Sequence, residues 1–99
     1  MNNSQKMLEA LDQQDLAKAD TYFQKAVDED SDEILLELAS YLEGIGFYPQ
    51  ARQIYEKLAP VFPEVNLSLA SIASEDGQIE EAFEYLEKLD PESDWYLSA

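Results

Sequence analysis

Apolar side chains recur at steps of three and four along nearly the whole chain, which predicts a succession of amphipathic helices. Met7 and Leu11 define the apolar face of the first helix, and Ala19 and Phe23 lie on that of the second. The pattern breaks between them, where Asp15 is placed to cap the second helix through its carboxylate. Because the connection is short, we expect these two helices to run antiparallel.

The same spacing predicts four further helices, over residues 32–43, 49–59, 64–74 and 79–89. The third helix of the chain is the most apolar, and either Asp30 or Ser31 is its expected N-cap. Gly44 and Gly46 are expected to close it, because glycine enters a left-handed turn without a steric penalty. Gly77 closes the fifth helix for the same reason.

The helices are copies of one another at a nearly fixed spacing. Residues 36–40 (Leu-Glu-Leu-Ala-Ser) return as residues 67–71 (Leu-Ser-Leu-Ala-Ser), a displacement of 31 residues, and a further shift of 31 places Met7 under Leu38. The second helix of each pair carries a matching pattern that starts at Ala19, Ala51 and Ala82. On this alignment the first turn is one residue short. A period in this range is typical of solenoids, whose helix pairs bury their apolar faces against neighbouring pairs.

Composition excludes several kinds of chemistry. Of the 99 residues 45% are apolar, which is enough for a core, but the chain has neither Cys nor His. Disulfides, the usual zinc sites and the commonest general base are therefore missing. The acidic run at 28–33 begins like a calcium loop, yet Glu33 and Ala39 replace the glycine and the glutamate that such a loop needs. We expect no metal and no cofactor.

Charge constrains the choice of partner. The net charge is −16, from 22 acidic and 6 basic residues, and this argues against binding of nucleic acid or an anionic membrane surface. The sequence contains neither a secretory leader pattern nor an apolar run long enough to cross a membrane. These features predict a cytoplasmic protein. Its negative charge either attracts a basic or neutral partner or only maintains solubility.

The repeated helix pair resembles the tetratricopeptide repeat over nearly the whole chain, most clearly in two stretches. Residues 46–51 (Gly-Phe-Tyr-Pro-Gln-Ala) and 77–82 (Gly-Gln-Ile-Glu-Glu-Ala) match the turn and the start of the second helix of that family. Tyr55, Leu58 and Pro63 match the second half of the repeat. The resemblance implies an all-α, right-handed superhelical array of antiparallel helix hairpins that serves as a protein-binding scaffold. The chain is also similar to the N-terminal repeats of long multi-repeat members from Gram-positive bacteria.

The resemblance divides residues 1–99, taken as one domain, into three repeats at about 1–31, 32–62 and 63–92, followed by the start of a further helix at 93–99. The first helix of each repeat lines the concave surface in this family. Carried over, that register predicts a partner-binding groove formed by Glu9, Asp12, Glu33, Glu37, Ser40, Glu43, Glu64, Ser68, Ser71, Ser74 and Glu75. Leu36 and Leu67 would provide its apolar floor.

Three functions remain open at this stage. The first is an adaptor that binds a basic or neutral peptide or helix in the acidic groove. The second is a structural segment whose apolar C-terminal end, formed by Trp95, Tyr96 and Leu97, self-associates or stacks on further repeats. An enzyme is disfavoured, because the sequence has no phosphate loop, nucleophile elbow or metal cluster.

Overall fold

The computed structural model describes residues 1–89, and these residues form six α-helices and no strand. The helices are α1 (Asn3–Asp12), α2 (Leu16–Glu29), α3 (Asp32–Gly44), α4 (Tyr48–Leu58), α5 (Val65–Glu75) and α6 (Ile79–Glu87). The all-helical prediction is confirmed, and the breaks fall where the apolar spacing changes. The further helix expected at 93–99, with Trp95, Tyr96 and Leu97, lies outside the described residues.

Two compact units make up the chain, Met1–Leu38 and Ala39–Ala99, and the boundary between them falls inside α3. In the N-terminal unit α1 packs on α2 around Met7, Ala19 and Phe23, all of which are buried. In the C-terminal unit α5 packs on both α4 and α6, and the largest fully buried side chains there include Leu58 and Leu69. Each unit therefore has a core of its own.

The turns α1–α2, α3–α4 and α5–α6 have the same hydrogen-bonding pattern. In each, a backbone N–H donates to the carbonyl five residues earlier: Asp15 to Ala10 at 2.9 Å, Phe47 to Leu42 at 2.9 Å and Gln78 to Ala73 at 2.8 Å. The residue before each donor has a positive φ: Gln14 at 61°, Gly46 at 90° and Gly77 at 81°. This is the Schellman motif, which satisfies carbonyls that a helix end leaves unpaired.

These turns correct two details of the sequence prediction. The first turn is not short, because the motif aligns Ala10 with Leu42, and Met7 therefore corresponds to Ala39 and not to Leu38. Matching apolar letters could not show this, since Gln14 takes the left-handed position without being a glycine. Gly44 does not adopt a positive φ and is instead the last residue of α3.

Caps are confirmed at two helix starts. The Asp15 carboxylate accepts the backbone N–H of Lys18 at 3.1 Å, as the sequence predicts for α2. For α3 the cap is Ser31, whose hydroxyl oxygen lies 3.4 Å from the backbone nitrogen of Ile34.

Asp30 does not cap α3 but contacts the start of α1. Its Oδ2 accepts both the backbone N–H of Ser4 at 2.9 Å and the Ser4 hydroxyl at 2.7 Å, and its Oδ1 accepts from the Asn3 amide at 3.3 Å. Asp30 thereby ties the end of α2 to the first turn of α1, where backbone N–H groups have no partner within the helix. Nothing in the apolar periodicity indicated this contact.

Candidate partner-binding site

A polar pocket on the C-terminal unit brings together four of the predicted groove residues. Ser40 and Glu43 of α3 and Ser71 and Glu75 of α5 line a cavity of about 360 Å³, together with Tyr48 and Ile72. Ser40, Ser71 and Glu75 are exposed, whereas Glu43 is half-buried. The pocket therefore offers two carboxylates and two hydroxyl groups to solvent.

Glu43 is held in place by a tyrosine from the core. The Tyr55 hydroxyl donates to Glu43 Oε1 at 2.9 Å, although Tyr55 itself is only 3% exposed. Burial, together with the hydrogen bond to the Glu43 carboxylate, raises the pKa of Tyr55 to about 12, while the hydroxyls of Ser68 and Ser40 oppose the shift. Tyr55 was predicted only as a core residue, because its aromatic ring fits the apolar stripe of α4 and the sequence does not show where its hydroxyl points.

The other predicted groove residues are distributed differently. Asp12, Glu33 and Glu37 are exposed on α1 and α3 in the N-terminal unit, and Glu64 is exposed just before α5. Glu9 lies elsewhere, in a small cavity of about 210 Å³ that is also lined by Lys6, Lys18 and Tyr22. Four of the predicted groove residues thus meet at the pocket beside Glu43 in the C-terminal unit.

An apolar groove between α5 and α6 occupies another face of the C-terminal unit. Its cavity of about 470 Å³ is lined mainly by Leu67, Ala70, Ile79, Ala82, Phe83 and Leu86. Phe83 is 61% exposed and Ile79 is 51% exposed, which is unusual for side chains of this size. Leu67 lies here and not on the floor of the polar pocket, and Ser74 borders this groove as well.

A charged cluster joins α4 to α6 within the same unit. Arg52 forms ion pairs with Glu56 on its own helix and with Glu81 of α6, and its Nη2 donates to the Tyr85 hydroxyl at 3.1 Å. The Tyr85 hydroxyl also lies 3.1 Å from carboxylate oxygens of both glutamates. Burial raises the pKa of Tyr85, while the positive charge of Arg52 opposes that rise. This cluster fixes the contact between the two helices.

A lysine patch surrounds Tyr22 in the N-terminal unit. The ammonium groups of Lys25 and Lys6 lie 5.5 and 5.6 Å from the centre of the Tyr22 ring, and Lys18 lines the adjoining cavity. These distances are in the range of cation–π attraction. We refer to Lys6, Lys18, Tyr22 and Lys25 as the lysine patch.

The three like turns, with the packing of α1 on α2 and of α5 on α4 and α6, place the described residues in the class of helical-hairpin repeat proteins. Residues 63–90 match the tetratricopeptide repeat as a sequence family, so the chain contains a tetratricopeptide repeat. Repeats of this family generally mediate protein–protein interaction. Comparisons with curated proteins and with solved structures give no match. Among residues 1–89, no helix has the length and apolarity needed to span a membrane.

Proposed function

We propose that the chain is a protein-binding scaffold whose polar pocket holds a basic or neutral segment of its partner. The observation that carries this proposal is the convergence of Glu43 and Glu75 with Ser40 and Ser71 on one cavity. Carboxylates can accept hydrogen bonds from a lysine or arginine side chain, and the hydroxyls can pair with a peptide backbone. The exposed ring of Tyr48 adds a surface on which such a side chain can pack.

The expected affinity is modest. Exposed ion pairs contribute little individually and are screened over about 8 Å at physiological salt. The net charge of −16 should nevertheless speed the approach of a basic segment. Together these terms suggest a dissociation constant of about micromolar for a single site, which several repeats in one array could improve through avidity.

The test is a titration of the chain with basic, neutral and acidic peptides of equal length at two salt concentrations. Glu75→Lys should weaken binding of the basic peptide about three- to tenfold, because it replaces an attraction with a repulsion. Glu80→Lys, an equal charge change at an exposed position outside the pocket, is the matched control. A preference for acidic peptides, or binding that neither salt nor Glu75→Lys alters, would contradict the proposal. The acidic residues of the pocket would then serve only solubility.

A second candidate function is assembly through the C-terminal end. It is supported by the apolar groove, where Leu67, Ile79 and Phe83 together expose a patch that would be stabilised by burial. An apolar helix of a further repeat, or of a second copy, is a suitable cover, and the sequence at Trp95 to Leu97 belongs to the same end of the chain.

This candidate predicts self-association that depends on concentration. Phe83→Ser and Trp95→Ala should each weaken it in sedimentation velocity, whereas Val61→Ser should not, although Val61 is exposed to a similar extent as Phe83. A chain that stays monomeric at all accessible concentrations would exclude assembly and leave the polar pocket as the sole proposal.

A further inference from the structure

The tyrosine–lysine pair of α2 recurs in α6. The displacement of 63 residues that relates Gln14 to Gly77 also relates Tyr22 to Tyr85 and Lys25 to Lys88. In both helices the lysine lies over the ring, at 5.5 Å in α2 and at 5.1 Å in α6. Residues 16–24 of α2 therefore have counterparts in α6, and Lys25 corresponds to the C-cap Lys88.

In the C-terminal unit two side chains of α4 contact the tyrosine. Glu56 of α4 lies at hydrogen-bonding distance from the Tyr85 hydroxyl, and the Arg52 guanidinium lies 5.9 Å from the ring centre. Only 8% of Tyr85 remains exposed. This contact shows which features allow a helix to fit against such a tyrosine. The helix places a carboxylate next to the tyrosine hydroxyl and, one turn earlier, a large side chain over the tyrosine ring.

The lysine patch of α2 has the same tyrosine–lysine pair as α6, but one neighbouring position carries the opposite charge. Tyr22 is partly exposed, whereas Tyr85 is buried. Lys18 stands where α6 has Glu81, so a positive group replaces the carboxylate beside the hydroxyl. A helix that presents an acidic side chain at the place of Glu56 would meet Lys18 without needing an arginine to neutralise it.

The α6 surface has these features. The displacement of 31 residues from Ala51 to Ala82 carries Arg52 to Phe83 and Glu56 to Glu87, and both of these α6 side chains are exposed. We propose that α6 of one copy contacts α2 of a second copy in the register in which the side chains of Arg52 and Glu56 contact Tyr85. Phe83 then covers the Tyr22 ring, and Glu87 pairs with Lys18.

The interface joins two different surfaces, so it is heterologous, and repetition of the contact builds rings or open chains instead of isologous dimers. This proposal rests on the second candidate function, assembly through the C-terminal end, and identifies the lysine patch as the surface that the C-terminal end of another copy contacts. It is independent of peptide binding in the polar pocket.

The test is a charge exchange, followed by sedimentation velocity of the full chain at about 0.15 M salt, where only nearby charges act on each other. Lys18→Glu and Glu87→Lys should each weaken association about tenfold, because each places like charges opposite one another. The double variant Lys18→Glu/Glu87→Lys should restore it. In the parent chain the average mass should rise past that of a dimer as concentration increases.

Glu84→Lys is the matched control, since Glu84 is an exposed acidic residue of α6 that the register directs away from the contact. Alone it should leave association unchanged, and combined with Lys18→Glu it should give no rescue. Association that Phe83→Ser weakens but that the charge exchange does not restore would overturn this register and leave C-terminal assembly intact. Mass that stops at a dimer, or a chain that is monomeric throughout, would also overturn it.

Discussion

The hairpins α1–α2 and α5–α6 share a turn and a tyrosine–lysine pair but differ in their surfaces. The cavity of the first is lined by charged side chains, Lys6, Lys18 and Glu9, and by Tyr22, whereas the groove of the second is lined by apolar side chains such as Ile79 and Phe83. The shared turn is the part that the backbone requires to close each hairpin. The differing parts do not affect how each hairpin closes, so they are free to determine what each hairpin contacts.

The largest effects are expected from truncating the core of each hairpin. Phe23→Ala in α2 should cost about 3–5 kcal/mol and Leu69→Ala in α5 about 2–5 kcal/mol, because both side chains are fully buried. Urea unfolding followed by circular dichroism measures these losses. Leu16→Ala, at a 64% exposed position, is the control and should cost far less. Equal stability of all three variants would mean that the buried faces are misassigned.

The link through Asp30 distinguishes the N-terminal unit. Asp30→Ala leaves the first turn of α1 without its carboxylate partner, and hydrogen bonds to a charged group contribute about 1.5–3 kcal/mol. Hydrogen exchange should show faster opening of α1, with little change in α5 and α6. Asp28→Ala, which removes an exposed carboxylate from the same helix, should leave exchange unchanged. Equal protection of α1 in both variants would contradict this role.

Alkaline pH should act on the C-terminal unit through Tyr55. Its pKa is about 12 when folded and about 10 when unfolded, so folding favours the neutral phenol. This contribution is complete below about pH 10 and is lost as the pH rises toward 12, a decrease of up to about 2 kcal/mol. Denaturant midpoints across that range measure it.

Tyr55→Phe should remove this part of the decrease, at a cost of about 1 kcal/mol at neutral pH for the lost hydrogen bond to Glu43. The control is Tyr41→Phe, since Tyr41 is 52% exposed. An alkaline transition that is the same in both variants would show that Tyr55 does not govern it.

The smallest effects are expected at the turns. Gly77→Ala should destabilise the α5–α6 hairpin by about 1 kcal/mol, because a side chain at φ 81° is strained. Gln14→Gly should do the reverse in the α1–α2 hairpin, with a gain of about 0.5–1 kcal/mol, as it removes that strain at φ 61°. Thermal melting can resolve both. Shifts of the same sign would show that the two turns are not equivalent.

The sequence predicted the helices well because their apolar spacing is regular and because Asp15 and Gly77 are strong boundary signals. The sequence comparison misaligned the first repeat, because Gln14 occupies the left-handed turn position where the other two repeats have glycine. It could not locate the Asp30 contact, which depends on the meeting of residues 26 positions apart. The hydrogen bond of the Tyr55 hydroxyl could not be predicted for a similar reason. Apolar spacing of three or four residues shows only which face of a helix is buried.

Part of the candidate site could also be inferred. Ser40 and Ser71 are equivalent by the displacement of 31 residues, and Glu43 and Glu75 each lie about one helical turn further along α3 and α5. Tyr48 was not among the predicted residues, since it belongs to the start of α4, outside the helices that the family uses for its concave surface. The apolar groove showed no distinct signal either. Leu67, Ile79 and Phe83 have the same letters as core residues, and only their exposure sets them apart.

The hydrogen bond from Tyr55 gives the two carboxylates of the polar pocket unequal freedom. Glu75 is exposed, so a ligand that pairs with it must restrict side-chain torsions that a solvated glutamate leaves free. Glu43 has already lost that freedom on folding, because its Oε1 is tied to a buried ring. Its second oxygen therefore projects at a fixed angle, and a cation that docks there incurs a smaller entropic cost than it would at Glu75.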